Sequence, residues 1–312
     1  MRIEYHRTVV ADRVRVAAFR DALAGVIEKG KSVVVDIGTG TGILAMLAAG
    51  LGAKKVYAYE KAEIGAVAER LIKANRLRNI ELIAARSTEI IDPPRGDIVV
   101  SETLGNYALE EFMVETMNDA RARHLKPGGT LIPGGLEQFV CPVIAPRVFD
   151  ELTMWNRVGH RLDFRIARDM SLNNAYVRKF APRELWGEGR AAVAWDKLDF
   201  SMRNRMSRKG VVTWKAAQKT TVYGLALWWT AHLTPRVPLS TSPLGPATHW
   251  EQLYFPALEP MTVERGEQLS ADLRSHSSEE GGTDLAWTLA ITSASGKQRS
   301  VQSLSLEKGF LP

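Results

Sequence analysis

The chain has a single cysteine, Cys141, among 312 residues, which excludes an internal disulfide and a cysteine-built metal site. No apolar run approaches the ~18 residues of a membrane span. The start, MRIEYHRTVV, has no apolar core of a signal peptide. These absences predict a cytoplasmic, reducing setting away from membranes. There is no internal repeat and no low-complexity tract. What remains is ordinary globular material, 45% hydrophobic and 24% charged, and long enough for two domains. Acid is the scarcer charge: 41 Lys+Arg stand against 35 Asp+Glu, a net +6 with pI ≈ 9.4. Alone, that surplus is a weak pointer to an acidic partner such as nucleic acid. It is also local. Residues 157–219 hold 15 Lys+Arg and 6 Asp+Glu, so the rest of the chain is net acidic.

Two halves differ in pattern. Residues 7–29 carry apolar positions at helical spacing, and SVVVD at 32–36 is a short continuous apolar run, the mark of a buried parallel strand. Further strands are expected at 55–60, 80–84 and 96–102, with helices at about 43–50, 62–75 and 110–124. Strands alternating with helices predict a mostly parallel, Rossmann-like α/β sheet covered on both faces. After Lys126-Pro-Gly-Gly the stretches 138–145, 221–233, 250–255, 269–275, 285–293 and 299–306 alternate and are divided by Gly, Pro and Ser. They predict an antiparallel β domain, a barrel or sandwich, over 134–312 behind a first domain at 1–133. A more helical insert interrupts it at about 150–189.

The run VVVDIGTGTGILA places Asp36 at a strand end, then Gly38, Gly40 and Gly42, then a helix. Such glycines let the backbone turn tightly and approach a ligand. A dinucleotide fingerprint wants glycine at 43, and Ile43 stands there, so a nucleoside without pyrophosphate is favoured over NAD. The second strand ends in Glu60, which can accept from both ribose hydroxyls. Together they point to S-adenosylmethionine. In this architecture an adenine is held just after the third strand, at Ser87, Thr88 and Glu89.

Ligands sit beyond the carboxyl ends of such strands. The fourth strand runs into SETLGNYALEE, with Glu102 at its end and Glu111 nine residues on. Bent back by Gly105, this loop could bring both carboxylates to one point. Two converging anions repel, so a bound cation is expected, and a planar guanidinium suits a carboxylate pair. The plainer reading is acids at a helix N-terminus, Glu110 and Glu111. Asp92-Pro93-Pro94-Arg95 is a decoy: it precedes the fourth strand and lacks the aromatic of a base-clamping motif. That weakens nucleic acid as the reactant.

Together with STSPLGPATHWEQ far downstream, these residues resemble the protein arginine methyltransferase family. VVVDIGTGTGILA is similar to its cofactor motif and SETLGNYALEE to its double-glutamate loop. Thr248, His249 and Trp250 are similar to its Thr-His-Trp loop, and HRTVVADRVR to the helix closing over the cofactor. The resemblance implies methyl transfer from S-adenosylmethionine, leaving S-adenosylhomocysteine, to arginine in a protein or peptide. Alternatives left open are a small guanidino or amine acceptor, RNA, and a non-catalytic scaffold.

The resemblance also implies roles. His6 and Arg15 would meet the methionine carboxylate, Asp36 and Gly38 would line the methionine end, and Glu60 would hold the ribose. Glu102 and Glu111 would clamp the guanidinium, with Met113 beside the methyl channel. His249 would support the pocket floor through Asp12, or relay a proton, and Trp250 would pack on the substrate side. No metal is required. An arm at about 155–190 would make a head-to-tail homodimer. The chain departs from the family at Thr103 and Asn106, where many members carry aromatics, and at Val9, where many carry Met. Five residues precede His6, so the family's aromatic N-terminal lid helix is expected to be missing, and closure over the cofactor either comes from elsewhere or is dispensable.

Overall fold

The computed structural model describes residues 3–307. Helices α1 (Ile3–Ala11) and α2 (Arg13–Ala24) are divided by Asp12, whose carboxylate accepts the Arg15 N–H and so caps α2. Then follow β1 (Val33–Ile37), α3 (Ile43–Gly50), β2 (Lys55–Tyr59), α4 (Gly65–Ala74), β3 (Ile80–Ile83), β4 (Gly96–Ser101), α5 (Met113–Asp119) and β5 (Leu125–Ile132). These strands pair in parallel in the order β3-β2-β1-β4-β5. Val34, Val35 and Asp36 are fully buried in β1, as the apolar run predicts for a strand covered on both faces. The strand order reverses between β1 and β4, and a crevice opens there beyond their carboxyl ends.

After a cis Ile132–Pro133 bond the chain becomes antiparallel. The elements are β6 (Gly135–Val143), α6 (Arg147–Leu152), α7 (Arg165–Leu172), β7 (Tyr176–Arg178), β8 (Val193–Asp199), β9 (Ser207–Lys215), β10 (Thr220–Thr234), β11 (Val237–Ser240), β12 (Gln252–Val263), β13 (Gln268–Ser278), β14 (Gly282–Thr292) and β15 (Gln298–Ser305). One sheet runs β7-β12-β10-β6-β8 with β11 on β10, and the other runs β15-β14-β13-β9. Their inner faces meet where Phe255 stacks on Trp287 at 4.5 Å, and one apolar core continues from there into the parallel sheet. A smaller core of Phe149, Leu172, Phe180, Trp228 and Tyr254 lies under the insert.

Three departures from the sequence reading have physical causes. The helix expected from residue 110 starts at Met113, because Phe112 is left-handed (φ 59°) and residues 102–112 form a folded-back loop. β12 runs on past Phe255, because Pro256 falls opposite Gly224 just where the ladder slips register, a position that tolerates a missing donor. β8 and β9 lie outside the expected strands because Lys and Asp on their outer faces break the apolar pattern. Their inward residues, Trp195, Leu198, Val212 and Trp214, are buried.

Candidate active site

The crevice holds a cavity of about 430 Å³. α1 and the ends of β1, β2 and β4 contribute His6, Gly38, Gly40, Glu60, Glu102 and Glu111 to its wall, and the turn after β3 contributes Thr88. Gly38, Gly40 and Gly42 all have positive φ (73°, 59° and 83°), a conformation side chains disfavour. The Gly38 and Thr39 N–H groups donate to the Tyr59 carbonyl at 3.0 and 2.9 Å, and Glu60 Oε2 accepts the Gly40 N–H at 2.9 Å. The loop is thus tied to the neighbouring strand end. Asp36 is fully buried beneath it, bonded by the Thr39 hydroxyl, and burial pushes its pKa up to about 6. Gly42 packs on Ala68 outside the cavity. Glu89 also lies outside, while the turn carrying Thr88 is fixed by Arg123, which donates to the Ser87 and Ile90 carbonyls.

At the other end, Arg15 is buried and its guanidinium grips Glu102, with Nε donating to Oε2 at 2.7 Å and Nη2 bonding the same oxygen. Arg15 Nη1 is buried without a partner. Glu111 differs from Glu102. Its carboxylate opens into the cavity and has no hydrogen-bond or ion-pair partner among the described residues. Although Glu111 is exposed through the mouth of the cavity, the protein around it, then the charges of Glu102, Glu110 and Glu60, push its pKa up to about 7.

The loop over residues 102–112 hangs from the β domain. Trp229 and Trp250 donate their indole N–H groups to the carbonyls of Gly105 and Leu104 at 3.0 and 2.9 Å. The Asn106 amide oxygen accepts the Glu251 N–H at 3.0 Å. Tyr107 OH donates to Ser275, and Ser277 donates to the Leu109 carbonyl, each at 2.5 Å. Trp250 and Met113 are therefore buried supports and do not line the cavity. Met113 Sδ accepts from the Thr103 hydroxyl at 3.1 Å, and Thr103 and Val9 are the residues exposed to the cavity there. His249 lies behind α1, outside the cavity. Its Nδ1 and its backbone N–H each sit 2.8 Å from Asp12 Oδ2. Burial raises the Asp12 pKa, but the hydrogen bonds from Arg15 and His249 outweigh it and hold the group below its ordinary value. A chain of contacts thus runs His249–Asp12–Arg15–Glu102.

Tyr5 and Glu110 are among the cavity residues that motif spacing does not single out, as are Lys61 and Arg86. Tyr5, on α1 beside His6, reaches the cavity, and burial and the nearby glutamates push its pKa up to about 12. Glu110 lines the wall too, although its spacing suggests only a helix-start acid. An aromatic one residue before His6 was the available signal for Tyr5; for Glu110 there was none.

Half of the chain, residues 139–295, matches the family model described as "Arginine methyltransferase oligomerization subdomain". The chain belongs to the protein arginine methyltransferase family. Residues 20–150 match a second model, "Ribosomal protein L11 methyltransferase (PrmA)". Similar members of the family include "Protein arginine N-methyltransferase PRMT10" of Oryza sativa subsp. japonica, 28% identical over 94% of this chain and 87% of its own length. "Protein arginine N-methyltransferase 6" of Xenopus tropicalis is 27% identical over 96% and 92%. Among solved structures, the Trypanosoma brucei PRMT1 enzyme-prozyme heterotetrameric complex with AdoHcy superposes with TM-score 0.85 at 24% identity, covering 96% of this chain and 97% of that one. Arabidopsis thaliana protein arginine methyltransferase 10 gives 0.80 at 24%, covering 97% of each. The family's fold, a parallel methyltransferase sheet followed by an antiparallel barrel, is the fold of this chain. No helix among the described residues is long and apolar enough to cross a membrane.

Proposed function

We propose that this protein transfers the methyl group of S-adenosylmethionine to a guanidino nitrogen of arginine in a protein or peptide, releasing S-adenosylhomocysteine. The observation that carries this reading is Glu111, an unpartnered carboxylate facing Glu102 in a cavity whose far end is a glycine loop. The family relatives' names and the AdoHcy held by the trypanosomal neighbour support it. The residues fit the cofactor. Arg15 Nη1, buried and unpartnered, suits its carboxylate, and Glu60 beside Gly40 suits a ribose.

S-adenosylmethionine supplies an electrophilic methyl on a sulfonium. The chain's own task is to make a poor nucleophile usable, since guanidinium stays protonated with a pKa above ~12 and its lone pairs are delocalised. Glu102 and Glu111 can hold two of its nitrogens, draw positive charge towards them and fix the third, where orientation can supply several kcal/mol. Glu111, with its raised pKa, can take the proton afterwards. His249 then acts as a positioning residue, setting Glu102 through Asp12 and Arg15.

The test is mass spectrometry of arginine peptides, free arginine and RNA after incubation with labelled cofactor. Methylated guanidine in the peptide alone is expected. Glu111→Gln should lose at least ~100-fold in turnover while calorimetry still shows S-adenosylhomocysteine binding. Label only on RNA or free arginine, or near-normal turnover of the variant, would overturn the reading.

We further read residues 1–133 as the cofactor unit, 134–312 as the β unit and about 155–190 as an arm for a homodimer, in the cytoplasm. The arm exposes Leu162 and Ile166 by 64% and 69%, an apolar face that a second copy would cover. Sedimentation should show a dimer that Leu162→Asp with Ile166→Asp converts to monomer.

A further inference from the structure

The acceptor loop bends back on itself around a carboxylate that is neither Glu102 nor Glu111. Glu110 Oε1 accepts the Asn106 N–H at 3.1 Å and Oε2 accepts the Tyr107 N–H at 3.4 Å. Its own N–H donates to the Tyr107 carbonyl at 3.0 Å, closing the turn from the other side. The fit is tight: a Cβ on Gly105 would come 2.0 Å from Glu110 Oε1. Gly105 is therefore required by the side chain of Glu110, not by an unusual φ. The carboxylate is not spent on the turn alone. Glu110 also lines the cavity that Glu60, Glu102 and Glu111 line.

We propose that Glu110 is a third functional carboxylate of this site, a positioning residue that closes the loop carrying Glu102 and Glu111 and sets the negative charge Glu111 faces. The charges around Glu111 come from several elements. Glu102, with Arg15 on it, comes from β4 and α2, Glu60 and Lys61 from the end of β2, and Arg86 from the turn after β3. Tyr5 and His6 come from α1. Glu110 is adjacent in sequence, binds two amides of the loop where Glu102 binds only that of Leu104, and contributes with Glu102 to the raised pKa of Glu111. Burial raises the pKa of Glu110 itself, while the Tyr107 and Asn106 amides favour its charged form. The consequence is an acceptor site that is most anionic, and grips a guanidinium best, only when Glu111 has lost its proton.

The proposal rests on the acceptor role given to Glu111 above, and the experiment separates the two. Glu110→Gln keeps an oxygen for the Asn106 amide and removes the charge. Its acidic limb of kcat/KM for an arginine peptide should move to lower pH. At a pH on that limb, activity relative to the plateau should rise roughly 3- to 10-fold over wild type, as a shift of half to one pKa unit gives. Carboxyl-labelled glutamate NMR, with the Glu111 signal assigned by its loss in Glu111→Gln, should show the same downward shift without any turnover. Glu110→Ala, which frees both amides, should lose turnover at every pH while keeping S-adenosylhomocysteine binding. An unmoved limb and an unmoved Glu111 titration in Glu110→Gln would reduce Glu110 to a turn-closing acid and overturn the proposal. Should wild type methylate no arginine peptide, the acceptor reading fails, and the NMR titration alone decides whether Glu110 sets the charge at Glu111.

Discussion

At its cofactor end the cavity is shaped by residues close in sequence: Gly38 and Gly40 turn on their own φ angles, and Glu60 reaches back 20 residues to the Gly40 amide. At its other end, the proposed acceptor end, the loop from Glu102 to Glu111 is held by hydrogen-bond partners 124 to 168 residues away: Trp229, Trp250 and Ser277 donate to it, and Ser275 accepts from Tyr107. The first end is a local backbone device. The second is a loop suspended from another sheet, so its geometry depends on how the two sheets are docked. Damage to the β domain should therefore reach the acceptor carboxylates before it reaches the cofactor loop.

Arg15 is where that division fails, so it gives the largest expected effect. Its guanidinium holds Glu102, its backbone N–H bonds Asp12, and Nη1 is buried without a partner. Both side chains of the pair are over nine-tenths buried. Arg15→Ala strands a buried Glu102, which should cost about 3–5 kcal/mol of stability. Thermal unfolding would measure the loss, and both S-adenosylhomocysteine affinity and peptide turnover should fall together. Loss of only one would mean that the two ends are separable even here.

Next come two substitutions that should sharpen the contrast, one for each end. Trp250→Phe leaves the Leu104 carbonyl buried without its donor, a cost of about 1–3 kcal/mol. Peptide turnover should drop roughly tenfold, since ~1.4 kcal/mol is a factor of ten, while calorimetric cofactor affinity stays within about twofold. Glu60→Gln should do the reverse. It replaces a charge-assisted bond worth roughly 1.5–3 kcal/mol, so cofactor affinity should fall ten- to a hundredfold with kcat at saturating cofactor preserved. Equal effects on both readouts from either variant would erase the distinction.

The same contrast explains what the sequence revealed. A glycine run between an apolar strand and a helix is a local signal, and β1, α3 and β2 fall within a residue or so of their expected places. Glu102 and Glu111 were legible as a spacing. Their supports were not, because no periodicity links Gly105 to Trp229 or Leu109 to Ser277. Nor could spacing show that Phe112 turns left-handed, which separates Glu111 from the helix it was expected to begin. The pairing of Arg15 with Glu102, too, joins two ends that the motifs treat as separate.

The smallest effect concerns the basic surplus on the β domain. The structure splits it. Arg208 makes a bidentate pair with Asp196, a residue also bonded by Gln138, so it belongs to the frame and not to a free surface. Arg203, Arg205 and Lys209 have no ion partner among the described residues and are exposed. The loop bearing the first two is anchored to α5 by Asn204, whose N–H and carbonyl both bond Asn118. α5 begins two residues after Glu111, so the loop bearing Arg203 and Arg205 is tied to the helix that leaves the cavity wall. Reversing all three to Glu should leave kcat alone and lower the on-rate of an acidic-flanked peptide several-fold at low salt, with the difference vanishing as salt shortens the Debye length towards ~3 Å at 1 M. Rates that ignore both charge and salt would make the strip a solvated face. The acceptor end would then take its electrostatics from the glutamate cavity alone.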